Sequence, residues 1–562
     1  MASIMRPYFL NFNKYVFSHH GRRCLCRNYS KHLPSTAEQQ DVVDQIFPDI
    51  EGSPKPVPAN YFKMARGRKQ KSEKVLGGNE VHKSGHIIIE CKNKDLNHYI
   101  NQKYNKFNPI PLATKGWNHR LSKGDYFKIN IYPDKEKRES VFWVEGLDSF
   151  ESLGLDNRIT EALKKMGITK PTHIQASGIP AVLNSQNVLL AGETGCGKTL
   201  AYLLPVVQEI LRWRAVSQHR KFNTPLALVL TPGRELAYQI GDVVNNLAKE
   251  LMFDFEVMVG GHMKRLITHP NFRPVDLFVS SIGAAGKLTT SGLYNMSYVR
   301  HIVMDEADTC MDDSFSDYVV RYLKKFPISY GRDQTDNESL PPFCQLTLVS
   351  ATMPTSLPMI LEDIIVPESL VKVETPRLHQ VLVHVPQMFL RVGQSEKPSK
   401  LLELAKRNMA KEIPTIIFSN RSKVCDWVSM FLNENGISCV NLNGDMPTDI
   451  RRGVFDQFQR GFVDVISCTD IASRGLDTVR AKHIINYDFP IYMADYIHRC
   501  GRVGRVGHTE NCHITNFVSN EKEVELAQKV ETAVRTMSVL PNVNGNITRV
   551  IQHRKMKYEN II

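Results

Sequence analysis

The chain of 562 residues has eleven cysteines, scattered from Cys24 to Cys512, and no C-x2-C pair among them. Neither a zinc site nor a disulfide framework is indicated, and a reducing compartment fits. No stretch approaches the roughly 20 consecutive apolar residues needed to cross a bilayer, so no membrane partner is expected. Acidic residues are missing from the first 37 positions: Arg6, Lys14, Arg22, Arg23, Arg27 and Lys31 all precede Glu38. These cations are interleaved with Tyr8, Phe9, Leu10, Phe12, Tyr15, Val16 and Phe17. Composition of this kind marks a mitochondrial transit peptide, read here over residues 1–29. Arg27-Asn28-Tyr29-Ser30 resembles a matrix-protease site with cleavage after Tyr29. A disordered basic tail is the plainer alternative.

What the chain does have is positive charge: 71 basic against 58 acidic residues, a net +13. That balance favours an anionic partner such as nucleic acid. The length exceeds a single core, and about 150 residues per domain suggests three or four units. Residues 30–146 are polar and weakly periodic, and read as a basic, poorly structured extension. Within it Lys63–Lys74 carries six cations against Glu73. Such a run is either solvated surface or a flexible arm that grips RNA.

From Phe150 onward short apolar runs alternate with helical patterns. Leu226–Thr231, Glu256–Val259, Asp276–Ser281, His301–Met304 and Gln345–Val349 read as buried strands, and Arg234–Glu250 as a helix. Tyr330–Pro342 reads as a surface loop. The alternation restarts with strands at Thr415–Phe418, Val463–Cys468, Ala481–Tyr487 and Cys512–Val518, and helices at Ser422–Glu434 and Arg451–Arg460. This is the βα pattern of parallel sheets covered on both faces. The expected domains are 147–375 and 376–545, followed by a basic tail over 546–562.

The most informative stretch is Gly192-Glu193-Thr194-Gly195-Cys196-Gly197-Lys198-Thr199, between the apolar run Val188–Ala191 and a helical pattern beginning at Leu200. It fits the Gly-x4-Gly-Lys-Ser/Thr phosphate loop. Glycines let successive backbone N–H groups converge on one anion, and the following helix adds its N-terminal partial charge. Lys198 then reaches the β- and γ-phosphates, and the Thr199 hydroxyl helps hold magnesium. Only the first half carries such a loop, so two α/β domains share one nucleotide in a core expected to be monomeric. Asp305-Glu306-Ala307-Asp308 follows the apolar run His301–Met304. A carboxylate at that strand end suits a second magnesium contact, Asp305, and Glu306 is placed to activate the attacking water.

The phosphate loop followed by a literal Asp-Glu-Ala-Asp resembles the DEAD-box family of ATP-dependent RNA helicases. The resemblance covers Phe150 to Val518, about two-thirds of the chain. It implies two tandem RecA-like domains of α/β class, an RNA-dependent ATPase activity, and ATP and Mg2+ as cofactors. Gly167–Gln175 resembles the family's adenine-reading segment, which implies that Gln175 contacts the base and Phe150 packs near it. Ser350-Ala351-Thr352 resembles the motif that couples hydrolysis to strand separation, a role extended to Asp308, His498 and Arg499. Thr469–Asp477 implies an RNA-phosphate contact at Thr469 and a ribose contact at Asp477. Tyr496–Arg505 implies arginine fingers at Arg502 and Arg505.

Candidate RNA contacts are Pro232, Arg234, Gly260, Gly261, Ser281, Gly283, Arg451 and Thr469. Three departures bear on them. Gly233 stands where the family has threonine, Ala284 where it has arginine, and Thr448 where it has glutamine. Lys287 offers a charge near the lost arginine, and His262, Lys264 and Arg265 are further candidates for phosphate contact. The whole arrangement is similar to a metazoan mitochondrial branch of the family. That implies mitochondrial ribosomal RNA and precursors of the large ribosomal subunit as partners. An RNA clamp with little hydrolysis is the alternative function. Cys196 and Cys500 fall near the expected nucleotide, either filling small sites or forming a redox gate.

Overall fold

The computed structural model describes residues 85–105, 107–131, 142–217, 220–261, 263–311, 316–328, 339–353, 360–470 and 478–543. The expected transit peptide, the Lys63–Lys74 run, the basic tail and Asp477 lie outside these residues, as do 330–338 and the His262 and Lys264 side chains.

Three strands come first: β1 (Ile87–Cys91), β2 (His98–Tyr99) and β3 (Tyr126–Ile129). The next seven are β4 (Val188–Ala191), β5 (Ala227–Thr231), β6 (Phe255–Met258), β7 (Leu277–Ser281), β8 (His301–Met304), β9 (Gln345–Ser350) and β10 (Val371–Glu374). They form an all-parallel sheet in the order β10-β4-β9-β8-β5-β7-β6. Strands β4, β5, β7, β8 and β9 are buried along their whole length, which is why they read as unbroken apolar runs rather than as alternations. Helices α1 (His173–Leu183), α2 (Lys198–Val216) and α3 (Arg234–Leu251) belong to this first lobe. Because all the strands run the same way, their C-terminal ends share one edge. The register sets Ala191 beside Ser350 and Leu230 beside Met304. Gly192, Pro232, Ser281, Asp305 and Ala351 therefore leave the sheet side by side, where ligands bind in such sheets.

The second lobe contains β11 (Gln387–Arg391), β12 (Thr415–Phe418), β13 (Cys439–Leu442), β14 (Val465–Cys468), β15 (His483–Asn486) and β16 (His513–Val518). Their order is β13-β14-β12-β15-β16-β11, again parallel, with α4 (Ser422–Glu434), α5 (Thr448–Gln459), α6 (Met493–Cys500) and α7 (Glu521–Thr536).

This second sheet continues as β3-β1-β2, with β3 antiparallel to β11. Residues 85–131, read in the sequence as part of a poorly structured extension, are thus strands and short turns built onto the second lobe. Phe127 stacks on Phe389 with ring centroids 4.4 Å apart, and the buried Trp117 offers its carbonyl to Arg391 Nε at 2.7 Å. Glu531 on α7 accepts from the backbone N–H groups of Ala113 (2.8 Å) and Thr114 (3.0 Å) and from the Thr114 hydroxyl (2.7 Å). The same carboxylate pairs with Arg535 at 2.7 Å, both side chains fully buried.

Candidate active site

The phosphate loop turns through left-handed backbone at Gly195 (φ 80°) and Gly197 (φ 94°), conformations that glycine adopts freely. Neighbours on three sides leave no room for a side chain. A Cβ on Gly197 would lie 2.6 Å from Gln175 Nε2, one on Gly195 2.5 Å from Arg505 Cγ, and one on Gly192 2.9 Å from Thr375 Cγ2. Gln175 braces the loop directly: its carboxamide oxygen accepts from Thr172 N (2.9 Å) and its nitrogen donates to Gly197 O (3.1 Å). Phe150, expected near the base, is buried in the core of the first lobe. Lys198 opens α2 and donates through Nζ to the carbonyls of Gly192 (2.6 Å) and Glu193 (2.8 Å), which holds its charge against the loop.

Asp305 lies at the end of β8 and is buried. Burial and the neighbouring charge of Glu306 push its carboxyl up to about 6, against the opposing pull of Lys198. Its oxygens accept from Tyr202 OH (2.9 Å) and from Glu306 N (2.8 Å). The Tyr202 hydroxyl also meets that of Thr199. Sequence reasoning missed Tyr202, although its position four residues after Lys198 on α2 puts it on the same helix face. Glu306 takes left-handed backbone (φ 50°), so the chain turns sharply as it leaves the sheet. Thr199 and Asp305 offer hard oxygen donors beside the further negative charge of Glu306, a set that fits magnesium.

Asp308 joins the lobes. Its Oδ2 accepts from the Thr352 hydroxyl (2.5 Å) and from His498 Nε2 (3.2 Å) on α6 of the second lobe. A carboxylate only accepts, so His498 carries its proton on Nε2. Arg499, the next residue, stays within its own lobe. It is fully buried, grips Asp470 with two nitrogens (2.6 and 2.8 Å), and reaches Asp488 O and Asn420 Oδ1.

After α6 the chain meets the phosphate loop. A Cβ on Gly501 would fall 1.2 Å from the Thr194 hydroxyl, and Val506 N donates to Gly195 O at 3.3 Å. Arg505 lies against Gly195, and Arg502, nearly fully buried, is held by its own helix carbonyl His498 O. Both expected arginines therefore belong to the turn that caps the loop. Cys196 and Cys500 are buried, and burial pushes their thiols up to about 11 and about 12. They remain protonated at neutral pH, which favours the space-filling reading over a redox gate.

The candidate RNA contacts follow β5, β6 and β7 and the second lobe's strands. Arg234 Nη2 lies 3.1 Å from where a Gly260 Cβ would be, so its guanidinium overlies Gly260-Gly261. Ser281 precedes the helix Ile282–Thr290, on which Gly283 and Lys287 are exposed and Ala284 is buried. Thr469 follows β14 and is half-buried. Arg451 is tied into the structure: it pairs across the lobes with Glu235 on α3 at 3.3 Å. Beside it Arg452 sits over the Tyr238 ring, 4.5 Å from its centroid, a second cross-lobe contact that the sequence did not reveal.

Residues 172–360 match the family model described as DEAD/DEAH box helicase, and residues 396–507 that of the helicase conserved C-terminal domain. The Mus musculus protein "Probable ATP-dependent RNA helicase DDX28" is 34% identical over 511 residues, covering 89% of this chain and 94% of its own. Its Homo sapiens counterpart is 34% identical over 472 residues, covering 82% and 87%. The fold is similar to that of S. cerevisiae Dbp5 bound to RNA and ADP BeF3, with a TM-score of 0.56, 23% identity, and coverage of 72% of this chain and 99% of that one. It is also similar to Mss116p bound to ssRNA and AMP-PNP, with a TM-score of 0.58, 20% identity, and coverage of 71% and 79%.

Proposed function

This chain belongs to the DEAD-box family of ATP-dependent RNA helicases, and from that premise we propose that it is a mitochondrial enzyme remodelling ribosomal RNA during large-subunit assembly. It is an RNA-dependent ATPase. The observation that carries the reading is the seating of Gly501 and Arg505 on Thr194 and Gly195, which builds one nucleotide site from two lobes.

Lys198 and the loop N–H groups bind the phosphates, and the α2 N-terminus favours their charge. Glu306 orients the attacking water and draws its proton. Arg502 and Arg505 stabilise the charge that develops on the transferred phosphoryl group, an effect worth about 10³–10⁵ in rate in related enzymes. Thr199 and Asp305 would hold magnesium, which supplies charge neutralisation between the phosphates. Because the arginines come from the second lobe, hydrolysis waits on closure of both lobes over ATP and RNA. RNA is gripped by its backbone, through Arg234, the Gly260-Gly261 turn, the start of the Ile282–Thr290 helix and Thr469, so little sequence selectivity is expected of the core.

The mitochondrial assignment is supported by the acid-poor, arginine-bearing N-terminal composition, and the choice of ribosomal RNA by the branch of the family that the motifs resemble. Import of the full chain into isolated mitochondria should remove residues 1–29, and crosslinking there should recover large-subunit ribosomal RNA. The enzymatic part is tested by ATP hydrolysis of the chain lacking residues 1–29, with and without single-stranded RNA, beside Glu306→Gln. RNA should raise the wild-type rate and leave the mutant flat. If wild type binds RNA yet hydrolyses no faster than the mutant, the chain is a clamp.

A further inference from the structure

The connection between the lobes, residues 375–386, touches a functional motif at three successive points. At its start Thr375 N donates to Ala191 O (3.0 Å), and the Thr375 side chain closes over Gly192 at the head of the phosphate loop. Four residues on, His379 Nε2 accepts from the backbone N–H of Met353 at 2.8 Å. Met353 directly follows Thr352, whose hydroxyl binds Asp308. Five residues later His384 Nε2 donates to Gly504 O at 2.8 Å, in the turn between Arg502 and Arg505.

Both histidines are held in place. His379 takes left-handed backbone (φ 63°), uncommon for a residue with a side chain, while its carbonyl accepts from Leu540 N (2.8 Å) at the end of the second lobe. His384 is buried, with the Phe142 ring against it edge-on at 5.2 Å. Gly504 is seated on it so closely that a Cβ there would lie 2.9 Å from His384 Nε2 and 2.4 Å from Val385 Cγ2.

The two imidazoles use the same atom in opposite senses. His379 must be unprotonated at Nε2 to accept an amide proton, and His384 must carry a proton at Nε2 to donate to a carbonyl. We infer that His379 and His384 are positioning residues that make the linker a third partner in lobe coupling. His379 fixes the backbone after Ser350-Ala351-Thr352 against the linker, and His384 fixes the arginine-bearing turn against it. Closure then depends on the linker holding its own conformation as well as on the two faces of the cleft.

The inference rests on the ATPase reading, and the test separates the two. In the full chain without residues 1–29, RNA-stimulated ATP hydrolysis and duplex separation are measured for wild type, Glu306→Gln, and each histidine changed to Ala, Gln and Asn. The alanine variants should lose about ten- to a hundredfold in kcat, the scale of a small misplacement of reacting groups, with KM for ATP near wild type. Glutamine places a polar atom near the Nε2 position and serves as acceptor or donor, so His379→Gln and His384→Gln should recover most of the rate. Asparagine falls short and should stay defective. Wild-type rates in the alanine variants would overturn the inference. If those variants do not fold, equal rates for Gln and Asn would overturn it. A wild type no faster than Glu306→Gln would instead sink the ATPase reading.

Discussion

His498 Nε2 on one lobe lies 3.2 Å from Asp308 Oδ2 on the other, and the same oxygen takes the Thr352 hydroxyl at 2.5 Å. One carboxylate atom thus senses both the strand end after β9 and the helix that leads into Arg502 and Arg505. Removing either partner should uncouple the lobes without emptying the nucleotide site. His498→Ala and Asp308→Asn are each expected to lower RNA-stimulated kcat by about ten- to a hundredfold. The ATP concentration for half-maximal rate should stay near wild type, since neither residue lines the phosphate loop. Steady-state hydrolysis with saturating RNA checks this. A rise in that half-maximal concentration with unchanged kcat would mean the pair serves binding instead.

Gly501 offers a test of closure itself. It faces the Thr194 side chain so closely that any Cβ overlaps it, meeting Oγ1 at 1.2 Å and Cβ at 2.3 Å. Gly501→Ala should therefore leave each lobe folded but prevent the arginine turn from seating on the phosphate loop. The expected outcome is RNA-stimulated hydrolysis reduced by about 10³-fold or more, as for loss of an arginine finger. The melting temperature should shift by only a few degrees. Wild-type hydrolysis in this variant would mean that the catalytic arrangement does not seat Gly501 on Thr194.

Much of this was legible beforehand, for identifiable reasons. Buried parallel strands leave unbroken apolar runs, so β5, β7, β8, β9, β12 and β16 stood out. The phosphate loop announces itself because its glycines answer to steric limits that few other residues meet. Strands β1 to β3 did not stand out: they are two to five residues long, and β3 finds its partner β11 some 260 residues away, with no local turn to signal the pairing. The sequence offers Arg451 as an RNA contact, and the structure adds its pairing with Glu235 of the other lobe. Such a contact depends on how two lobes meet, which neither segment records. The histidines of the linker were invisible for the same reason. Their partners are backbone groups, and any residue supplies those.

Buried histidines whose imidazoles are pushed down set an acid limit on stability, His301 and His98 among them. His301, on β8, is fully buried with Nε2 against the Thr347 hydroxyl (3.0 Å), and burial pushes its imidazole down to about 3. His98, on β2, is buried against Tyr104, and burial, reinforced by Arg535, pushes it down to about 4. Each folded-state value lies below the ordinary 6.5, so the unfolded chain binds more protons. Their stability contribution is complete above about pH 6.5 and is lost as pH falls toward the folded value, by up to about 1.4 kcal/mol per pH unit for each group. Calorimetric melting between pH 7.5 and 5 should fall steeply. His301→Gln should flatten that slope by about one proton's worth, and an unchanged slope would remove His301 from the account.

The buried Glu531–Arg535 pair decides whether residues 85–131 are structural or ornamental. Glu531 accepts three bonds from Ala113 and Thr114, and Arg535 donates to Leu96 O (2.7 Å) and Tyr104 OH (2.9 Å). Each partner therefore satisfies the added strands' backbone as well as the other's charge. Glu531→Ala would leave a guanidinium buried without its counter-ion and strand the N–H groups of Ala113 and Thr114. A loss of about 3–5 kcal/mol is expected, the scale for breaking a buried pair at one end. Arg535→Met with Glu531→Gln removes both charges while keeping volume, and should cost less than Glu531→Ala. Limited proteolysis adds the decisive readout. In Glu531→Ala, cleavage between residues 107 and 125 should rise well before the α/β cores are cut, because the turns at Ala113–Gly116 and Arg120–Ser122 lose their anchor on α7. Protection equal to wild type would show that the Phe127–Phe389 stack and the β3–β11 ladder hold the segment without this pair.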